Sequence, residues 1–284
     1  MGCAGAGAAT AIAQWIAVIP QVYLLNRSIP FALLRDQNIL ELIKSAALSY
    51  YKAGTLVLFR SIAKIASYTF TASAAARLGV VPMAAYSLTF NLGFATSQLC
   101  EAVAIASQAL LARDVPFNTP RKKVAASHII HRSVQLGLLS STALTLCTLA
   151  NQEGVLRSMT KVPAVRVAAA AVMPMVLATQ IFKSVAYATN GVLMGGLDWE
   201  YSSAGMTLAA LLCCLIVHVL PASLWNIWIA LCAFMAAQVV ISAGRFSSGT
   251  GPWAGLSLYR KNNYDSAMDS NPSNKPDSSA AVNG

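Results

Sequence analysis

A few ionisable side chains stand inside long apolar segments of this sequence, namely Arg60, Lys64, Glu101 and Lys183. A charge in such a segment is costly unless it pairs with another charge or faces a water-filled cavity, so these residues mark candidate ion or solute pathways. A carboxylate there can also bind and release a proton, because burial opposes its ionised form. The four residues therefore predict a water-filled cavity or a buried ion pair inside the protein, although Lys64 could instead extend from near the end of its segment to the membrane surface.

Polar side chains continue this pattern along three of the apolar segments. At about 100° per residue, the polar residues of each segment fall within one arc of about 60° to 100° around a helix. The three stripes are Arg60, Lys64, Ser67 and Thr71; Ser87, Asn91, Gln98, Glu101 and Gln108; and Gln180, Lys183, Tyr187 and Asn190. The set expected to form the charged part of the cavity is Glu101, Asn190, Lys183, Arg60 and Lys64. The set expected to line the cavity is Asn91, Gln98, Gln108, Gln180 and Tyr187. For the hydroxyls and amides, the alternative is that they hold packed helices together.

The segments that carry these stripes are long enough to cross a lipid bilayer. Of the 284 residues, 56% are hydrophobic and only 11% are charged, and the mean hydropathy is +0.58. This composition cannot cover a water-soluble surface, so we expect the lipid bilayer to be the solvent. The expected spans are residues 4–25, 53–76, 80–112, 134–150, 167–192, 204–220 and 225–243. No segment alternates with period two, which excludes a β-barrel and predicts an all-α, polytopic membrane bundle of about seven transmembrane helices.

The formal net charge of +10 is a signal of topology. Lys and Arg are concentrated in alternate connections, which predicts that the C-terminal tail lies in the cytoplasm, or in the equivalent compartment of an organelle, and the N-terminus on the opposite side. The basic residues are dispersed and no base-reading module accompanies them, so we expect no nucleic-acid partner.

Residues typical of catalysis or metal binding form no recognisable site in the sequence. The cysteines lie mostly inside the apolar spans without CxxC spacing, as small buried hydrophobes do. His128 and His131 are three residues apart in a basic loop, but no acidic or Cys partner is near to complete a metal site. No Ser/His/Asp, zinc-protease or phosphate-loop pattern is present, so we expect no enzymatic activity, no metal and no cofactor.

Several motifs, in the right order, resemble the multidrug and toxic compound extrusion (MATE) transporters. The matching stretches are LVLFRS at 56–61, AAARLG at 74–79, VPMAAY at 81–86, AVAIASQAL at 102–110, Gln180 followed by NGVLMGGLD at 190–198, and SGTGPW at 248–253. They are similar to the second half of the DinF-like branch, which includes plant plastid-envelope members.

This resemblance implies a fold and a function. MATE transporters have two six-helix lobes, bind substrate between them and release it by alternating access. The chain would then hold the last helix of a missing first lobe (1–25), a cytoplasmic linker (26–52), the second six-helix lobe (53–243) and a disordered cytoplasmic tail (244–284). The implied activity is cation-coupled antiport and efflux of small organic compounds, with H⁺ or Na⁺ as coupling ion. The implied partner is the missing first lobe or a second copy in a homodimer.

Two departures from the family pattern bear on coupling. Asn190 stands where the family usually has Asp, and Tyr86-Ser87 stands where it has His-Gln. An amide hydrogen-bonds but does not titrate, so the first exchange removes a carboxylate that could bind the coupling ion. Glu101 is left as the carboxylate in the depth of a span, and we therefore expect it to carry the coupling.

A second class of function fits the number of spans. A seven-helix receptor, or a regulatory membrane fragment that transports nothing, would also have seven apolar segments. The receptor signatures are missing: no acidic-Arg-aromatic triplet ends the third span, and the last span lacks an Asn-Pro-x-x-Tyr turn. We expect an integral multi-pass membrane protein, with plastid envelope, vacuole and plasma membrane left open.

Overall fold

The computed structural model describes residues 2–28, 39–115, 117 and 119–254. The helices within these ranges are α1 (Gly2–Ser28), α2 (Ile39–Arg77), α3 (Val80–Asp114), α4 (Pro120–Ala150), α5 (Gln152–Met159), α6 (Pro163–Gly195), α7 (Trp199–Val219) and α8 (Leu224–Ser248), followed by a 3₁₀ turn at Gly251–Trp253. The described residues contain no strand, which confirms the all-α prediction. The chain divides into two compact units, residues 1–55 and 56–284.

Six of the described helices are long and apolar enough to cross a membrane. They correspond to all the expected spans but the second, and they confirm a polytopic helical bundle. The expected second span, 53–76, lies in α2, which carries Lys52, Arg60 and Lys64 and is too polar to count among the six by composition. Its polar stripe explains this difference, because the same residues that predict a cavity lower the hydropathy of the helix.

Several element boundaries differ from the sequence-based ones. Helix α2 begins at Ile39, within the segment assigned to a linker. Helix α4 begins at Pro120, so His128 and His131 lie on a helix and not in a loop, and the His131 ring is 2.9 Å from the Gln135 amide nitrogen. The Thr119 hydroxyl accepts a hydrogen bond from Lys122 N and caps this helix. Pro120 suits the first helical position, because it has no backbone N–H that would be left without a partner there.

Helix α6 is the centre of the second unit and packs against α3, α4 and α8. Two of its glycines allow α3 to approach closely. A Cβ at Gly191 would lie 2.8 Å from Ala104 Cα, and a Cβ at Gly195 would lie 2.7 Å from Gln108 O. Small residues that bring two backbones together are typical of membrane helix contacts. The α3–α6 contact therefore depends on these glycines.

Helix α2 packs onto the unit through large side chains near its C-terminal end. The Tyr68 ring meets Phe90 of α3 edge-on at 5.2 Å and Phe234 of α8 at 5.9 Å. Thr71 Oγ1 and the Tyr86 hydroxyl are 2.9 Å apart. Among the described residues, the backbone of α2 makes no extensive close contact with another helix. These side chains act as spacers that hold α2 away from α3 and α6.

A partly buried ion pair joins the turn between α6 and α7 to the C-terminal end of α8. Asp198 accepts hydrogen bonds from Arg245 Nε at 2.7 Å, Arg245 Nη2 at 3.1 Å and Trp253 Nε1 at 3.0 Å. Trp253 is buried against Phe246 and lies over Gly196, where a Cβ would meet its ring at 2.5 Å. The structured part of the chain thus continues past residue 243, where the sequence predicts disorder, because Asp198 anchors it. Residues 255–284 of the predicted tail lie outside the described residues.

We predict that Gly191→Ala destabilises the protein by about 1–3 kcal/mol, because the added methyl group must push α3 away from α6. Thermal unfolding in detergent measures this effect. Gly244→Ala is the matched control, since a methyl group added at Gly244 of α8 would meet no atom within 4 Å. Equal unfolding temperatures for both variants would contradict the close contact of α3 with α6.

Candidate functional site

Three of the four predicted charged residues, Arg60, Lys64 and Glu101, meet in one cleft between α2, α3, α6 and α7. Its free space for water is about 100 Å³. The residues that line it are Arg60, Lys64, Glu101, Ala104, Ile105, Gln108, Tyr187, Asn190, Gly191, Met194 and Met206. Both sets assigned from the sequence contribute to this wall.

The positions of these residues follow from local helix geometry. Arg60 and Lys64 are one turn apart on α2, and Glu101 and Gln108 are two turns apart on α3, so each pair shares a face. The close α3–α6 contact sets the floor of the cleft at Gly191, and the spacers of α2 keep its opposite wall at a distance. The cleft therefore exists because α3 and α6 lie close together while side chains hold α2 away from them.

The two cations of the cleft are not neutralised by close ion pairs. In the described part of the chain, the ion pairs involve Asp114, Glu153 and Asp198, and none forms between Glu101 and Arg60 or Lys64 within 4 Å. Arg60 Nε is buried without a hydrogen-bond partner in the described residues. A buried donor without a partner is costly, so this position is suited to an anionic or acceptor group of a ligand.

Lys183 lies behind this wall, outside the cleft. Its side chain is buried, its Nζ donates to Gly93 O at 3.1 Å, and its amino group is 5.7 Å from the centre of the Tyr187 ring. The amino group thus connects α6 to α3 directly behind a cleft residue. It adds positive charge near Lys64 without facing the same space.

The other three predicted residues lie elsewhere, which corrects the expectation of one common cavity. Gln180 lines a separate pocket between α3, α4 and α6, where Thr96 Oγ1 donates to its Oε1 at 3.3 Å. Asn91 and Gln98 are exposed, and neither is part of the cleft wall. The α3 stripe covers an arc of about 100°, which is wider than the face that meets α2 and α6. Glu101 and Gln108 occupy the part of that arc that turns toward the cleft.

Sequence reasoning missed Gln238, a buried residue of α8 that accepts a hydrogen bond from Asn190 Nδ2 at 2.8 Å. It is an isolated amide in an apolar span, and the rule that buried polar groups need partners could have found it. Ser242 and Arg245 share its face toward the C-terminal end of α8, but no polar residue continues that face through the N-terminal half of the span, so a search for long polar stripes does not single it out.

These observations define a class: a multi-pass helical membrane protein with a polar, positively charged cleft inside its helical lobe. The MatE family model matches residues 57–224. The chain therefore belongs to the multidrug and toxic compound extrusion family, whose members are transporters and not enzymes. Its assignment to the DinF-like branch, and the assignment of residues 53–243 to the second lobe of that family, stay predictions.

The chain is also similar to individual proteins. Protein DETOXIFICATION 43 of Arabidopsis thaliana is 32% identical over 206 residues, covering 72% of this chain and 39% of that protein. Protein DETOXIFICATION 44, chloroplastic, of the same plant is 28% identical over 255 residues, covering 89% and 47%. The chain thus spans less than half the length of these relatives.

Solved structures share the fold. The outward-facing conformation of a multidrug resistance MATE family transporter aligns with a TM-score of 0.64 at 16% identity, covering 75% of this chain and 49% of the other. A MOP superfamily transporter from Pyrococcus furiosus aligns with a TM-score of 0.62 at 18% identity, covering 74% and 46%. The aligned helices of this chain therefore have the fold of these transporter structures.

Proposed function

We propose that this chain is one lobe of a cation-coupled antiporter that exports small organic compounds by alternating access. Membership of the MATE family and the polar cleft inside the lobe support this proposal. Alternating access needs two bodies that rock around a shared site, and the relatives are more than twice as long as the matched region. The partner would be a first lobe or a second copy of the chain.

The charge of the cleft carries the proposal about the substrate. Arg60 and Lys64 face the same space as one carboxylate, and Lys183 lies directly behind it. The cleft therefore has an excess of positive charge, and Arg60 Nε has a hydrogen bond to give. A guanidinium group binds a carboxylate through charge-assisted hydrogen bonds, which are stronger than neutral ones. We therefore propose an organic substrate with an anionic group held between Arg60 and Lys64.

Glu101 is proposed to bind the coupling ion. When it is ionised, its carboxylate balances part of the positive charge of the cleft. A bound H⁺ or Na⁺ removes that balance and leaves Arg60 and Lys64 freer to bind an anionic group, so the two binding events are linked. Because this linkage favours the form that carries both the ion and the substrate, antiport requires that this doubly loaded form does not reorient and that only the singly loaded forms do. Asn190 adds no titratable group to this site.

The first prediction of this proposal concerns Arg60. Arg60→Gln should raise the Kd for succinate, used as a simple dicarboxylate probe, roughly ten- to hundredfold, because a charge-assisted hydrogen bond is lost. Isothermal titration of the purified chain measures it. Arg77→Gln is the control, since Arg77 is an exposed cation of the same helix. A similar loss in both variants would point to a nonspecific effect of net charge and would refute the assigned site.

The second prediction concerns coupling through Glu101. A chimera with the first lobe of a MATE relative, reconstituted into liposomes, should take up or release substrate in response to a gradient of H⁺ or Na⁺. Glu101→Gln should abolish this response while exchange down the substrate gradient continues, because an amide has the shape of the acid but no titratable proton. Glu153→Gln serves as control, since Glu153 is exposed on α5 and pairs with Arg157. Unaltered coupling in Glu101→Gln would remove Glu101 from the mechanism.

A further inference from the structure

Three buried amide groups form a hydrogen-bonded series that leads from the backbone of α8 to the cleft. Gln238 is only 3% exposed, and its Nε2 donates to Phe234 O at 3.2 Å and lies 3.8 Å from Met235 Sδ. Its Oε1 accepts from Asn190 Nδ2 at 2.8 Å. Asn190 in turn lines the cleft. The first group of this series is the backbone carbonyl of Phe234, which can only accept a hydrogen bond.

Because that carbonyl can only accept, it sets the orientation of both side-chain amides. Phe234 O can only accept, so the end of the Gln238 side chain that faces it must be the NH₂ group. The remaining Oε1 can only accept, so Asn190 must turn its own NH₂ group to Gln238. The Oδ1 atom of Asn190 is then left over, and the described residues donate no hydrogen bond to it. This orientation follows from the network and needs no knowledge of hydrogen positions.

We infer that Gln238 is a positioning residue that turns the carbonyl oxygen of Asn190 toward the cleft, where it receives a hydrogen bond from the substrate. This inference rests on the proposed function. The α2 wall then offers donors at Arg60 and Lys64, and the α6 wall offers an acceptor. A compound that carries a hydroxyl group beside its anionic group satisfies both walls.

The same network explains the amide at position 190. An ionised aspartate there would place a carboxylate oxygen against Gln238 Oε1, and neither atom could donate. Gln238 could restore a hydrogen bond only by rotating its amide, which would set Oε1 against Phe234 O. Asn190 and Gln238 therefore form a matched pair that keeps this part of the cleft neutral.

Malate and succinate test the inference, because these dicarboxylates differ by one hydroxyl group. We expect the full chain to bind malate roughly five- to tenfold more tightly than succinate, the gain of one hydrogen bond to a buried acceptor. Gln238→Met keeps the side-chain volume but removes the amide, so the Kd for malate should rise to that for succinate while the Kd for succinate stays unchanged. A merely structural role for Gln238 would weaken both probes equally. The measurement is titration calorimetry on protein shown to be folded by its unfolding temperature.

Two further variants complete the experiment. Gln180→Met is the matched control, since Gln180 is also a buried amide but lines the other pocket, and it should keep the malate preference. Asn190→Ala should lose the preference with Gln238 intact, which keeps the inference testable if Gln238→Met fails to fold. A malate preference that persists in folded Gln238→Met, or that is missing in the unmodified chain, overturns the inference. If neither probe binds in an Arg60-dependent way, the proposed function fails instead.

Discussion

The close contact between α3 and α6 is the constraint on which the rest of the lobe depends. Gly191 and Gly195 have no side chains, so the backbone of α6 can approach Ala104 and Gln108 of α3. This approach fixes the height and rotation of Tyr187 and Asn190 relative to Glu101. Helix packing in lipid depends on such close fits, because lipid tails are as apolar as the side chains and give little hydrophobic driving force. One backbone contact therefore positions the α3 and α6 walls of the cleft.

The α2 wall follows a different principle. Helix α2 is held off by Tyr68 and Thr71, which contact side chains of α3 and α8 near one end of the helix. The separation leaves space for Arg60 and Lys64 further along it. A cation at this depth is tolerated where water or a ligand can reach it. The polar composition that disqualifies α2 as an ordinary apolar span is thus the composition that a helix lining an aqueous cleft requires.

Helical phase makes part of this site predictable. The spacing of Arg60 and Lys64, and that of Glu101 and Gln108, places each pair on one face whatever the rest of the fold does. The angular position of a residue around its helix does not say which part of a polar face meets a neighbouring helix. The sequence therefore assigns Asn91 and Gln98 of α3 to the cavity, although both are exposed. Their placement depends on the rotation that the α3–α6 contact imposes.

Residues brought together over long stretches of sequence are beyond such reasoning. The partner of Gln238 is Asn190, which lies on a different helix and 48 residues away in the sequence. Asp198 and Trp253 end two separate sequence motifs, and a hydrogen bond from Trp253 Nε1 to the Asp198 carboxylate brings the ends of those motifs together. A single helix shows which of its residues are polar, but the partner of a polar residue is set by the packing of the bundle.

The proposed function depends above all on a water-filled cleft beside Arg60 that binds an anionic group. Accessibility of a cysteine at Gln108 tests this most directly, in a variant whose native cysteines are replaced. We predict that Gln108→Cys reacts with a membrane-impermeant thiol reagent, that succinate slows this reaction, and that Arg60→Gln removes the protection. Leu212→Cys, on an exposed apolar face of α7, should react slowly and without dependence on succinate. A Gln108→Cys variant that does not react, or whose reaction rate is unaffected by succinate, would contradict the existence of this binding site.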